Sequence, residues 1–139
     1  MSKVLIIEDE FNTAKPVQEA LALIGIDADI AKDGMEGINR FKNGDYDLVL
    51  LDLRMPGMSG EEVLKEIRNI DPFMEVIIYT NYTDFEDIKR LANLGIEGYI
   101  NKGPNADLGE LLFQIQARLA PLNPKQIDAL LNDVPQDGE

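Results

Sequence analysis

The chain has 139 residues, 45% of them apolar, and a net charge of −13 from 26 acidic and 13 basic side chains. Such a length fits one domain with a sizeable core, and the apolar fraction is that of a globular chain rather than a disordered one. With no Cys and no His, disulfides, thiolate chemistry, His-based acid–base catalysis and a phosphohistidine donor are excluded and structural zinc is disfavoured, while the acid excess offers no basic patch to nucleic acid.

Met1-Ser2-Lys3 leads straight into Val4-Leu5-Ile6-Ile7, which predicts a strand over 3–7 rather than a signal peptide. Val17, Ala20, Leu21 and Ile24 form a helical stripe that Gly25 stops. A strand over 27–31 follows, and after Asp33-Gly34 a short helix carries Ile38 and Phe41. The most apolar run, Leu48-Val49-Leu50-Leu51, predicts a strand over 47–52. Val63, Leu64, Ile67 and Ile70 mark a third helix, with Ser59 and Glu62 as a capping box and Asp71-Pro72 as its end. A strand over 75–80 precedes a fourth helix bearing Phe85, Ile88, Leu91 and Ala92, closed by Gly95. A strand over 97–101 and a fifth helix with Leu108, Leu111, Leu112, Ile115 and Leu119 complete the alternation. Five strand–helix units with short loops predict an α/β fold, a doubly wound five-stranded parallel sheet of order 2-1-3-4-5. No apolar run approaches the roughly 20 residues of a membrane span, so a soluble cytoplasmic protein is expected.

Polar residues recur where these strands stop: Glu8 and Asp9, Asp52, Thr80, and Lys102. In an open parallel sheet the strand C-terminal ends share one edge, where ligands bind. Two carboxylates beside a third repel by roughly 4 kcal/mol per pair at 4 Å and an effective dielectric of 20. A cation relieves that repulsion, and Mg²⁺ (or Mn²⁺) suits few protein oxygens plus waters and a phosphate. Asp52 reads as a nucleophilic carboxylate, with Thr80 and Lys102 able to bind phosphate oxygens. Glu8 and Asp9 could instead cap the first helix.

These residues carry a resemblance. Ile7-Glu8-Asp9-Glu10, Leu51-Asp52-Leu53-Arg54-Met55-Pro56-Gly57-Met58-Ser59-Gly60, Tyr79-Thr80 and Tyr99-Ile100-Asn101-Lys102 resemble the signature pieces of response regulator receiver domains of bacterial two-component signalling. The resemblance covers roughly residues 3–120, so 1–120 is read as the receiver and 121–139 as a tail. It implies that Asp52 is the phosphoacceptor and that Asp9, Asp52 and the backbone carbonyl of Arg54 ligate Mg²⁺, with Glu8 acting through water. It further implies phosphate contacts from Thr80, Lys102 and Asn81, and a switch formed by Thr80 and Tyr99. A sensor histidine kinase, a histidine phosphotransfer protein or acetyl phosphate would supply the phosphoryl group. A downstream protein, or a second copy in a homodimer, would read the surface of helix four, strand five and helix five. Residues exposed there would include Asp84, Glu86, Lys89, Arg90 and Asn93. The chain would promote only its own phosphotransfer and dephosphorylation, with no nucleic acid or membrane contact.

Departures from the family pattern refine this. Asn81 replaces a small residue, Glu8 a commoner aspartate, and Gly103 intervenes between Lys102 and Pro104, so a trans Lys102–Gly103 bond is expected. Bulky Arg54 and Tyr82 predict slow loss of the acyl phosphate. A dehalogenase-type phosphatase would need an acid where Arg54 stands, and a flavodoxin a Gly-rich phosphate loop where Glu8-Asp9-Glu10-Phe11 stands. The remaining alternative is a receiver-like module acting by protein contacts without phosphorylation. In the tail, Asn123-Pro124 followed by Ile127, Leu130, Leu131 and Val134 predicts a short extra helix or linker. The protein is expected to be a stand-alone or an excised receiver.

Overall fold

A computed structural model of the chain describes residues 2–81, 85–101 and 108–119, the side chain of Phe85 aside. Tyr82, Asp84, Lys102, Gly103, Pro104 and the tail at 121–139 lie outside the described residues. The elements alternate as β1 (Lys3–Ile7), α1 (Phe11–Leu23), β2 (Asp27–Ala31), α2 (Gly34–Asn43), β3 (Leu48–Leu51), α3 (Gly60–Ile70), β4 (Glu75–Thr80), α4 (Phe85–Leu94), β5 (Gly98–Asn101) and α5 (Leu108–Leu119). All strand pairs are parallel and the order is β2-β1-β3-β4-β5, as the alternation predicts.

Central β3 is buried along its whole length, because it has strands on both sides and helices on both faces. Alternation along each strand divides the core in two. Leu5, Ile7, Val49, Leu51, Val76 and Ile78 face a layer with Ile38, Val63, Ile67 and Leu91. Val4, Ile6, Leu48, Leu50 and Ile77 face the other layer, with Val17, Leu21, Leu111 and Ile115.

Local signals close the helices as read. Ser59 caps α3 reciprocally with Glu62: Glu62 N donates to Ser59 Oγ at 3.2 Å and Ser59 N to Glu62 Oε1 at 3.2 Å. Gly25, at φ +80°, ends α1 in a Schellman turn, with Ile26 N donating to Leu21 O at 2.9 Å and Gly25 N to Ala22 O at 3.1 Å. The apolar stripes overreach, however. Ile24, Ile70, Ala92 and Leu108 are exposed; three of the four sit at or just past a helix end, where the helix outruns the sheet it covers.

Arg68 is a tie that no motif announces. Its side chain is 13% exposed. Nη1 donates to Met74 O at 2.7 Å, and Nη2 donates to Gly95 O at 2.7 Å. Nη2 also lies 3.6 Å from Glu97 Oε2, which accepts from Val76 N at 2.7 Å. One guanidinium thus fastens α3 to the end of α4 and to the starts of β4 and β5.

Candidate functional site

Register decides what meets at the C-terminal edge. Ile7 pairs with Leu51 and Leu51 with Ile78, so the next residues along, Glu8, Asp52 and Tyr79, fall side by side. Two backbone bonds extend the ladder past the strands: Glu8 N donates to Ala31 O at 3.0 Å and Asp52 N to Ile7 O at 3.0 Å. They fix both acids on rigid backbone rather than on a loose loop. Asp52 lies one residue beyond β3, not within it.

Carboxylate oxygens of Glu8, Asp9 and Asp52 lie within 4.8 Å of one another. Glu8 is 4% and Asp52 5% exposed, while Asp9 faces solvent. At 4.8 Å and an effective dielectric of 20 each ionised pair costs about 3–4 kcal/mol. Capping does not explain the acids at 8 and 9, because the N-cap of α1 is Glu10, and its side chain makes no capping bond.

The loop after Asp52 folds back tightly. Arg54 N stands 3.5 Å from Asp52 Oδ1, at the outer limit of a hydrogen bond. Gly60 N donates to Leu53 O at 3.0 Å. A Cβ at Gly60 would strike Asp52 O and Leu53 Cα, so only glycine lets α3 start against this loop.

Thr80 ends β4, is 0% exposed, and pairs with Asn101 of β5. Asn81 is exposed and shares a cleft with Asp52, Arg54, Tyr79, Glu10 and Thr13. Tyr99 is half-buried against the core layer that contains Leu91 of α4, and burial pushes its phenol pKa up. The structure therefore gathers Glu8, Asp9, Asp52, Arg54 and Asn81 at one edge, with Thr80 at the end of the adjoining strand. Lys102 and Tyr82 lie outside the described residues. Glu10, Thr13 and Tyr79 were not anticipated as cleft residues. The strand register carried that signal for Tyr79, and Thr13 follows Glu10 by about one helical turn.

An open parallel sheet of this order, with a carboxylate trio at its switch point, defines a receiver-type domain. Residues 4–115 match the family model of the response regulator receiver domain. The chain is 37% identical over 119 residues to the response regulator ArlR of Staphylococcus saprophyticus, covering 86% of this chain and 53% of that protein. It is 38% identical over 116 residues to the transcriptional regulatory protein DltR of Streptococcus agalactiae, covering 84% and 51%. Among solved structures, a CheY-like receiver domain protein from Methanospirillum hungatei superposes with a TM-score of 0.81 at 26% identity, covering 93% of this chain and 98% of that one. The response regulator TrrA of Thermotoga maritima, solved in complex with Mg²⁺ and beryllium fluoride, gives 0.76 at 34% identity, covering 86% and 100%. The chain belongs to the response regulator receiver domain family, regulatory domains whose general function is a phosphorylation-dependent switch in two-component signalling. It spans about half the length of the curated relatives it matches. No helix among the described residues is long and apolar enough to cross a membrane.

Proposed function

We propose that Asp52 receives the phosphoryl group, from a partner histidine kinase, a histidine phosphotransfer protein or a small donor such as acetyl phosphate. The observation that carries this reading is the trio of carboxylate oxygens within 4.8 Å at the sheet edge, two of the three acids buried. A buried carboxylate set of this kind is hard to keep ionised without a cation. Its all-oxygen donor chemistry fits Mg²⁺ or Mn²⁺, held by Asp9, Asp52 and the Arg54 carbonyl, with Glu8 acting through water. Such an ion, when bound, neutralises charge on the transferring group.

The chain's own residues do the rest. An Asp52 carboxylate oxygen attacks phosphorus in line as the bond to the donor breaks, and the leaving group keeps the electron pair. Positioning and electrostatics supply the rate. The Thr80 hydroxyl, the Asn81 amide and the Lys102 ammonium hold phosphoryl oxygens. Thr80 follows the new charge, and Tyr99, packed against the core layer that contains Leu91, repacks with it. That shifts a pre-existing equilibrium of the α4–β5–α5 surface, which a downstream protein or a second copy then reads. Arg54 and Tyr82 shield the acyl phosphate and slow its hydrolysis. The chain turns over no substrate other than its own phosphate, and works in the cytoplasm beside its kinase.

Incubation with acetyl phosphate and Mg²⁺, read by intact mass, tests this. Wild type gains one phosphoryl group, while Asp52→Ala and a metal-free sample gain none. Failure of wild type with acetyl phosphate and with a panel of phosphohistidine donors would favour the module that signals without phosphorylation.

A further inference from the structure

Glu10 closes the loop between β1 and α1 as the N-cap of α1. Its backbone carbonyl accepts from Thr13 N and Ala14 N, both at 3.0 Å, but its carboxylate makes no capping bond. Glutamate is not among the favoured N-cap residues, and its charge at the helix start gains only the modest, salt-screened attraction of the helix dipole. The residue is exposed and lines the same cleft as Asp52, together with Thr13, Arg54, Tyr79 and Asn81.

We infer that Glu10 is a donor-specificity residue: its carboxylate, at the mouth of the cleft that holds Asp52, discriminates among phosphodonors by their charge and favours phosphoramidate-class donors over acyl phosphates. This rests on Asp52 being the acceptor. With acetyl phosphate, a dianion, the Asp52 oxygen–phosphorus bond forms as the acyl oxygen–phosphorus bond breaks, and acetate leaves with the electron pair. With phosphoramidate, whose nitrogen is protonated, the donor is a monoanion and ammonia leaves with the electron pair of the phosphorus–nitrogen bond. Both donors give the same product, so only the charge at approach and the leaving group differ. In a water-like dielectric a unit charge across a cleft of this kind changes a rate by roughly twofold per donor charge at low salt. The effect fades once the Debye length falls to about 3 Å at molar salt. Arg54 carries the opposite sign in the same cleft and stays unaltered in the test.

Bimolecular rates of phosphorylation by acetyl phosphate and phosphoramidate are measured by intact mass at saturating Mg²⁺, at low and at molar salt, for wild type, Glu10→Gln, Glu10→Lys and Glu10→Asp. Glu10→Gln is expected to speed phosphoramidate about twofold and acetyl phosphate about fourfold, and Glu10→Lys to double each effect on a logarithmic scale. Glu10→Asp keeps wild-type rates, and molar salt erases the differences. Equal effects on both donors, no effect, or an effect that survives molar salt would overturn the inference while leaving Asp52 as acceptor. If neither wild type nor any variant reacts with either small donor, this inference falls, and the phosphohistidine panel alone then decides whether Asp52 is the acceptor.

Discussion

Replacing Arg68 with Met probes the tie between α3, α4 and the sheet. Met keeps most of the apolar stem and removes every donor. Two short charge-assisted bonds disappear, to Met74 O and Gly95 O at 2.7 Å each. Longer contacts to Leu94 O at 3.3 Å and Asp71 O at 3.4 Å go with them. Hydrogen bonds to charged groups contribute roughly 1.5–3 kcal/mol each. Met74 and Gly95 are only half-buried, so water reaches part of what is freed, and a net loss of about 2–4 kcal/mol is expected. Glu97 also loses its cation at 3.6 Å, and its charge already raises the pKa of neighbouring Glu75. Urea unfolding followed by far-UV circular dichroism reads the loss as a midpoint lower by about 1–2 M at an unchanged slope. A loss below about 1 kcal/mol would refute the reasoning, because a guanidinium so enclosed would then be no better than a solvated one.

Three further substitutions separate electrostatics from packing. Tyr46→Phe removes the 2.7 Å bond to Asp29 Oδ2, the leading cause of the lowered Asp29 pKa. A depressed acid stabilises the fold above its unfolded pKa and loses that contribution as pH falls through its folded value. Wild type should therefore lead the variant by about 1 kcal/mol at neutral pH, with the gap closing below Asp29's ordinary value of 3.8. The Tyr46 phenol, pushed up to about 12 mainly by burial, keeps its proton throughout; a gap that does not vary with pH would contradict this. Glu75→Gln has the opposite sign. Burial first and Glu97 second raise the Glu75 pKa, and its buried Oε2 accepts no hydrogen bond among the described residues. The penalty is absent below the ordinary value of 4.5 and grows as pH rises through the folded value. Gln should stabilise by about 1 kcal/mol at pH 7 and by nothing in acid, as thermal melts across pH would show. Gly60→Ala pushes a methyl against Asp52 O and Leu53 Cα. We expect a loss of about 2–4 kcal/mol together with slower phosphoryl uptake; unchanged uptake would mean the loop geometry does not matter to the acceptor.

Much of this was legible because it is local. Apolar runs, the Ser59–Glu62 box and Gly25 each carry their structure within a few residues, and alternation of elements restricts the topology. The acids at 8, 9 and 52 could be grouped because parallel strands deliver their C-terminal ends to one edge. What could not be read depends on register or on distant partners. Arg68 meets Gly95 and Glu97 across nearly thirty residues, and nothing near it in sequence marks it as more than a surface cation. Tyr79 enters the cleft through the pairing of Leu51 with Ile78. Ile24 and Ile70 continue a helical stripe but are 38% and 42% exposed, since periodicity says which face is apolar and not where the sheet beneath it ends.

Chemical trapping tests the central claim most directly. The protein is incubated with acetyl phosphate and Mg²⁺, reduced with borohydride, digested and mapped by peptide mass. An aspartyl phosphate is reduced to homoserine, so the account predicts homoserine at position 52 alone, and none without metal. Homoserine at position 9, the corresponding reduction product at position 8, or a stable phosphate ester on Thr80 would contradict the assignment of Asp52 as the acceptor.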